Sequence, residues 1–149
     1  TGTVQKKQYD VIYVDYANGN NNNLGASKET SMKTISSAMN NITENGTIVL
    51  LGDYSSSAVI DKSVTIKSEE GHAYLFAPTK LDLNADHLCV TLDSVNLANL
   101  TAAGYGTNKT LLIKNSSGSI QSTAQNIENV QAEDSNFEES GIEKCYIFR

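Results

Sequence analysis

Short runs of alternating apolar and polar residues cover most of the chain. Residues 9–16 place apolar side chains on both faces, which predicts a strand whose two faces are partly covered. Further β-type runs begin after Gly46 and are separated by polar corners, not by two-residue hairpin turns. These runs are residues 47–51, 58–60, 64–67, 73–76, 88–92, 110–114, 127–132 and 142–148. The pattern predicts an all-β chain.

A weak internal repeat runs through these strands. Alignment of the runs gives two inward apolar columns: Val64, Val90, Leu111 and Val130, and Ile66, Leu92, Ile113 and Ala132. It also gives two outward polar columns: Lys67, Asp93, Lys114 and Glu133, and Ser68, Ser94, Asn115 and Asp134. The repeat length varies between 19 and 26 residues, as in a solenoid whose corner loops differ in length. We therefore expect a parallel β-helix.

One helical stripe precedes the coils. Ile35, Ala38, Met39 and Ile42 recur at positions i, i+3, i+4 and i+7, which predicts a helix over residues 31–42. The end of a solenoid exposes unpaired backbone and open apolar columns, which invite association unless they are covered. We expect this helix to cap the N-terminal end.

The 149 residues suit a single β-helix domain, with the first strand and the cap helix in residues 1–45 and the coils in residues 46–149. The chain stops inside an apolar run at residues 146–149. We therefore expect the native protein to continue beyond Arg149, and the last coil to associate end to end with a second copy.

Composition and charge exclude several classes of partner. Asn, Ser and Thr make up about 45 of the 149 residues, which is typical of a loop-rich β protein. The net charge of −6 and the scattered lysines leave no basic stripe for nucleic acid. The longest apolar run, around residues 48–51, is far shorter than the roughly 20 residues of a transmembrane helix. We expect no membrane insertion of this segment.

The candidate metal ligands are few. Asp15, Asn18, Asn20 and Asn22 offer oxygen atoms that suit calcium, but one carboxylate among neutral amides is more typical of a plain polar loop. We therefore predict no cofactor, with calcium as the alternative.

Five tyrosines offer rings on which sugars stack, or fill half-buried β positions instead: Tyr13, Tyr16, Tyr54, Tyr74 and Tyr105. Tyr13, Tyr16 and Tyr105 are the candidate glycan contacts.

The two cysteines, Cys89 and Cys145, lack the spacing of a zinc site, both with each other and with His72 and His87. Either they form a disulfide in an oxidising compartment or they remain two free thiols.

Several motifs near the N-terminus resemble the opening of pectate-lyase-like right-handed parallel β-helix proteins. They are Ile-Tyr-Val-Asp at 12–15, an Asn/Gly loop ending at 25, Lys-Thr-Ile at 33–35, Asn-Gly-Thr-Ile at 45–48, Gly-Asp-Tyr at 52–54 and Ser-Val-Thr-Ile at 63–66. The chain is similar in particular to adhesin-like surface proteins of methanogenic archaea and gut bacteria. The resemblance implies a right-handed β-helix in an extracellular or cell-surface setting, and it carries no catalytic residues.

Two functions follow as hypotheses. The first is a non-catalytic structural or adhesive segment of a secreted or cell-surface protein, with a polysaccharide or a surface glycan as its partner. The alternative is the N-terminal part of a polysaccharide lyase or glycoside hydrolase whose catalytic residues lie beyond this chain. A lyase of this family would need acidic ligands and a basic residue facing them, for which Asp93 and Glu133 with Lys114 between them are the candidates, but we interpret these residues as a charge-balanced outer face. The sole arginine is Arg149, which argues against a lyase.

Overall fold

The strands of the protein form three parallel sheets. The computed structural model describes residues 7–137 except 70, 72, 77, 78, 99 and 119–122. Sheet 1 contains, in spatial order, β1 (Tyr9–Val14), β2 (Ile42–Leu50), β4 (Val64–Ser68), β7 (Cys89–Asp93), β10 (Thr110–Lys114) and β13 (Asn129–Glu133). Sheet 2 contains β5 (Ala73–Tyr74), β8 (Val95–Leu97), β11 (Ser117–Gly118) and β14 (Asn136–Phe137). Sheet 3 contains β3 (Ala58–Ile60), β6 (Lys80–Leu83), β9 (Thr101–Ala103) and β12 (Thr123–Ala124).

The chain visits sheets 1, 2 and 3 in turn and then returns to sheet 1 beside its previous strand. Strands β4, β5 and β6 make one coil, and β7, β8 and β9 make the next. The result is a parallel β-solenoid of about four coils. The predicted parallel fold is confirmed, whereas the predicted run at residues 142–148 and the last coil's association surface lie outside the described residues.

The register of sheet 1 confirms three of the four columns of the sequence alignment. Ile66 pairs with Leu92, Leu92 with Ile113 and Ile113 with Ala132. All four side chains are buried, and the other inward column, from Val64 to Val130, is buried beside them. The same pairing aligns the outward column of Lys67, Asp93, Lys114 and Glu133. Alternating charges in this column avoid like-charge repulsion between neighbouring coils.

The corner that follows sheet 1 uses left-handed backbone. Ser94, Asn115 and Asp134 have φ angles of 56°, 48° and 47°. The N–H of Ser94 donates to the Lys114 carbonyl (3.0 Å), so the turn keeps its hydrogen bond to the next coil. Asn and Asp tolerate this conformation better than most residues. Ser68 differs because it ends β4 as a buried residue whose hydroxyl accepts from Ala73 N–H (3.3 Å).

The helix is shorter than the sequence predicts. Only α1 (Ile35–Met39) is α-helical in this region, after a 3₁₀ turn at Lys28–Thr30. Thr34 caps α1 by accepting from Ser37 N–H (3.1 Å). Ile42 starts β2 and is buried there, so its apolar side chain serves a strand and not the helix. β2 therefore begins at Ile42, a few residues before the predicted start of the coils.

Two segments contact the first strands of sheets 1 and 3. The N–H of Met32 donates to the Tyr13 carbonyl (2.9 Å), and the Met32 carbonyl accepts from Asp15 N–H (2.8 Å). α1 packs against β3, the outermost strand of sheet 3, and Ser36 Oγ donates to the Ser57 carbonyl (3.2 Å). Met32 thus forms a parallel bridge on the free edge of β1, and α1 lies against β3.

Tyr54 makes the corresponding contact at sheet 2. Its N–H donates to the Tyr74 carbonyl (2.9 Å) and its carbonyl accepts from Phe76 N–H (3.0 Å), which extends sheet 2 by one bridge. Its side chain is fully buried, and its hydroxyl accepts from Ile35 N–H at the start of α1 (2.8 Å). Burial raises the pKa of this hydroxyl.

The burial of the inward column leads to a prediction about the stability of the solenoid. Ile113→Ala is expected to lower the free energy of unfolding by about 2–5 kcal/mol, because Ile113 is fully buried between two coils. Leu112→Ala, on the opposite face of β10, is the matched control and is expected to cost clearly less. Urea unfolding of both variants measures the difference, and equal losses would contradict the inward assignment of Ile113.

The left-handed backbone at Ser94 leads to a second prediction about stability. Ser94→Val is expected to destabilise the protein by about 1–2 kcal/mol, because a β-branched residue fits poorly at the φ of 56° of Ser94. Ser94→Gly keeps this conformation accessible and is expected to be much better tolerated. The midpoints of thermal unfolding test the pair, and a valine variant as stable as the glycine variant would be inconsistent with strain at this corner.

Candidate functional site

Two consecutive corners between sheet 3 and sheet 1 differ in length. Ala102 pairs with Ala124 and Thr110 pairs with Asn129 in the next coil. β9 ends at residue 103 and β10 begins at residue 110, so six residues, 104–109, connect the strands in one coil, whereas four residues, 125–128, do so in the next. The extra residues of the longer corner have no counterpart in the coil that follows it. We call residues 104–106 together with residues 124–128 the Tyr105 ledge.

Two glycines allow the backbone of the ledge to turn close against the preceding coil. Gly104 has a φ of 117° and Gly106 a φ of 102°, which side chains rarely adopt. A Cβ on Gly104 would lie 2.5 Å from the Leu83 carbonyl oxygen of the preceding coil. The N–H of Tyr105 donates to Asn84 Oδ1 (3.1 Å), which fixes the backbone between the glycines. The Tyr105 side chain is 72% exposed.

A cleft of about 640 Å³ lies along the ledge. The longer corner contributes residues 104–106 to its lining, and the shorter corner contributes residues 124–128. Gln125 and Asn126 are exposed, while Ile127 is half-buried and packs against the core. The cleft thus combines an aromatic ring with amide side chains on a backbone anchored to the solenoid.

Glu128 also lines the cleft, and its carboxylate accepts two backbone hydrogen bonds. Its Oε1 accepts from Lys109 N–H (3.1 Å) and its Oε2 accepts from Asn108 N–H (3.0 Å). The bond from Lys109 N–H, followed by that from Asn108 N–H, lowers the pKa of the Glu128 carboxyl. An ionised carboxylate at neutral pH accepts hydrogen bonds and does not serve as a general acid.

Lys109 lies behind the ledge with its side chain fully buried. Its Nζ donates to the Leu83 carbonyl oxygen (3.0 Å). Burial lowers the pKa of the Lys109 ammonium, opposed by the carboxylates of Glu128 and Asp82. Thr110 pairs with Cys89 of the previous coil, so Lys109 occupies the position that Leu88 occupies in that coil. This equivalence with an apolar residue is the sequence signal that points to its burial.

The three predicted glycan contacts lie in different surroundings. Tyr13 is half-buried on β1 in register with Val49. The ring of Tyr16 packs against Tyr54 at a centroid distance of 5.1 Å, and Lys33 Nζ lies 5.0 Å from its centroid. Tyr13 lies on β1 and Tyr16 just after it, whereas Tyr105 follows β9, in the coil whose strand β7 lies three strands beyond β1 in sheet 1. The structure does not combine the three tyrosines in one site.

The predicted calcium ligands hold their own loop. Asp15 Oδ1 accepts from the N–H groups of Ala17 (3.2 Å) and Asn18 (3.1 Å), and Asn20 Oδ1 accepts from Asn22 N–H (2.9 Å). Asx turns of this kind explain the Asn-rich sequence without a metal. Within the described part of the chain, no three His, Cys, Asp or Glu side chains form a group that could hold a metal ion. Calcium binding at this loop stays a prediction.

Asp93, Lys114 and Glu133 lie in one outward column of sheet 1, as the alignment predicts. Asp93 Oδ1 accepts from Ser94 Oγ (2.9 Å), so this carboxylate also supports the corner. The lysine separates the two acidic residues along the stack.

Cys89 presents an exposed thiol at the start of β7. Cys145 and His72 lie outside the described residues, so the pairing of the cysteines stays a prediction.

No helix in the described ranges is both long and apolar enough to cross a membrane.

Comparison with protein-family models, with curated proteins and with solved structures found no match to this chain. The assignment to a parallel β-solenoid therefore rests on the strand topology alone.

The hydrogen bonds of Glu128 predict a pH-dependent contribution to stability. Glu128→Gln is expected to lower the unfolding midpoint at neutral pH, because an amide has one acceptor oxygen for two backbone N–H groups. A carboxyl whose pKa is lowered by folding stabilises the protein above its unfolded pKa and loses this effect as the pH falls. The difference between wild type and variant should therefore shrink below about pH 4.5, the ordinary value for Glu.

Glu44→Gln is the matched control, since Glu44 is an exposed carboxylate on β2 far along the chain from the ledge. Thermal melts of both variants between acidic and neutral pH make the comparison. An equal effect of the two substitutions would show that net charge, and not the capping of Asn108 and Lys109, is responsible.

Proposed function

We propose that this chain is a non-catalytic structural or adhesive segment of a secreted or cell-surface protein. The observation that carries the proposal is the in-register stacking of inward columns through about four coils. Stacked parallel strands with a continuous core make a stiff body, and the corners project from it. A stiff body with variable corners suits the display of residues to a glycan or to another cell.

The N-terminal contacts support a capping role for α1 and its neighbours. Met32 binds the free edge of β1, α1 packs on β3, and Tyr54 extends sheet 2 and is tied by its hydroxyl to Ile35. Unpaired edge strands promote association with other chains. In this proposal, three short contacts replace the single long cap helix that the sequence suggests.

The family assignment belongs to the same proposal. Crossovers between parallel strands are right-handed in the great majority of proteins, which supports a right-handed β-helix. The N-terminal motifs resemble pectate-lyase-like and adhesin-like surface proteins, and the parallel topology agrees with that resemblance. The same resemblance supports an extracellular or cell-surface location.

Two measurements test this function. Antibodies against the chain should label intact cells that produce it, because the proposed location is outside the cell. Incubation of the protein, purified from those cells at its full native length, with soluble polysaccharides should yield neither new reducing ends nor unsaturated sugar products. Labelling only after permeabilisation would contradict the location, and formation of either product would favour the alternative of a lyase or hydrolase.

A further inference from the structure

The aromatic ring of the Tyr105 ledge is exposed on a fixed backbone. Tyr105 is 72% exposed, the largest exposed fraction among the large apolar and aromatic side chains described. Its N–H donates a hydrogen bond to Asn84 Oδ1, and the backbones of Gly104 and Gly106 lie close against the preceding coil. A ligand that stacks on this ring would therefore have little backbone to order. Aromatic rings in this situation bind the flat C–H faces of pyranose sugars.

The other side of the cleft supplies hydrogen-bonding groups. Gln125 and Asn126 are exposed, and each amide side chain has both donors and an acceptor. Each oxygen of Glu128 accepts one backbone N–H, which leaves further acceptor capacity for a hydroxyl group. Alternating donors and acceptors beside an aromatic ring match the hydroxyl groups of a sugar.

The charges around the cleft select against an anionic sugar. Glu128 lines the cleft, and Asp86 is exposed on the preceding corner, where its carboxylate accepts from Thr107 N–H (2.9 Å). The nearby ammonium of Lys109 is buried and donates inward to the Leu83 carbonyl. No cation is among the described residues that line the cleft, so a uronate carboxylate placed there would meet the negative charge of Glu128.

We infer that the Tyr105 ledge binds a neutral saccharide, with a pyranose ring stacked on Tyr105 and hydroxyl groups bound by Gln125, Asn126 and Glu128. The cleft volume of about 640 Å³ lies within the usual range of small-ligand sites, roughly 300–1,000 Å³. The inference deepens the proposed adhesive function by naming its ligand class. Saccharide binding and cell-surface exposure are measured separately, so either can fail without the other.

Tyr105→Trp gives a direct probe of the site. The chain contains no Trp, so the variant has a single indole at the ledge and keeps an aromatic ring there. The probes are cellotetraose, xylotetraose, mannotetraose and triacetylchitotriose, with tetragalacturonate as the anionic comparison. At least one neutral probe should shift the Trp emission in a saturable way at millimolar concentration or below, and tetragalacturonate should bind more weakly.

Tyr74→Trp is the matched control. Tyr74 is another exposed tyrosine, 43% accessible, on the outer face of sheet 2. Its emission should not respond to the probe that shifts the ledge variant. Alanine variants without a Trp substitution are compared by calorimetry. Tyr105→Ala should weaken binding about tenfold, and Gln125→Ala should weaken it severalfold. Circular dichroism and melting midpoints establish that these surface variants remain folded.

Three outcomes would overturn the inference. The first is no response to any of the four neutral probes at millimolar concentration. The second is binding that Tyr105→Ala leaves unchanged in a folded variant. The third is tighter binding of tetragalacturonate than of every neutral probe, which would contradict the charge argument.

Discussion

The whole stack depends on contacts between equivalent side chains of neighbouring parallel strands. Such strands lie about 4.8 Å apart, so an inward residue touches its equivalents in the coils on both sides. Ile66, Leu92 and Ile113 meet this condition in consecutive coils and are fully buried. A substitution at one of these positions therefore affects two interfaces at once. This constraint fixes the size and polarity of the inward strand residues, but it allows the corners to vary in length and sequence.

The corners divide into two kinds. The corner after sheet 1 repeats a left-handed residue, Ser94, Asn115 or Asp134, so its geometry is nearly the same in successive coils. The corner after sheet 3 changes from six residues to four, and the cleft beside Tyr105 is the space left by that change. The site thus arises from a difference in loop length between coils that share one core.

The sequence predicts the strand columns well because every coil repeats the same inward and outward positions in one register. It predicts the helix poorly, because Met32 and Ile42 bury their side chains equally well in extended backbone. Residue type alone makes Tyr16 and Tyr105 equal candidates for a glycan contact. In the structure the ring of Tyr16 contacts Tyr54 and Lys33, whereas Tyr105 is exposed. The cleft itself depends on the pairing of two coils, which no single segment of sequence contains.

Parallel pairing also determines how this protein can change in length. Because the strands of each coil hydrogen-bond only to the coils on either side, an insertion or loss of one whole coil preserves every remaining pair. Such a change would alter the height of the stack by about 4.8 Å. It would move the ledge relative to Tyr54 and α1 while leaving both intact, so the distance between the N-terminal end and the ledge is adjustable in fixed increments.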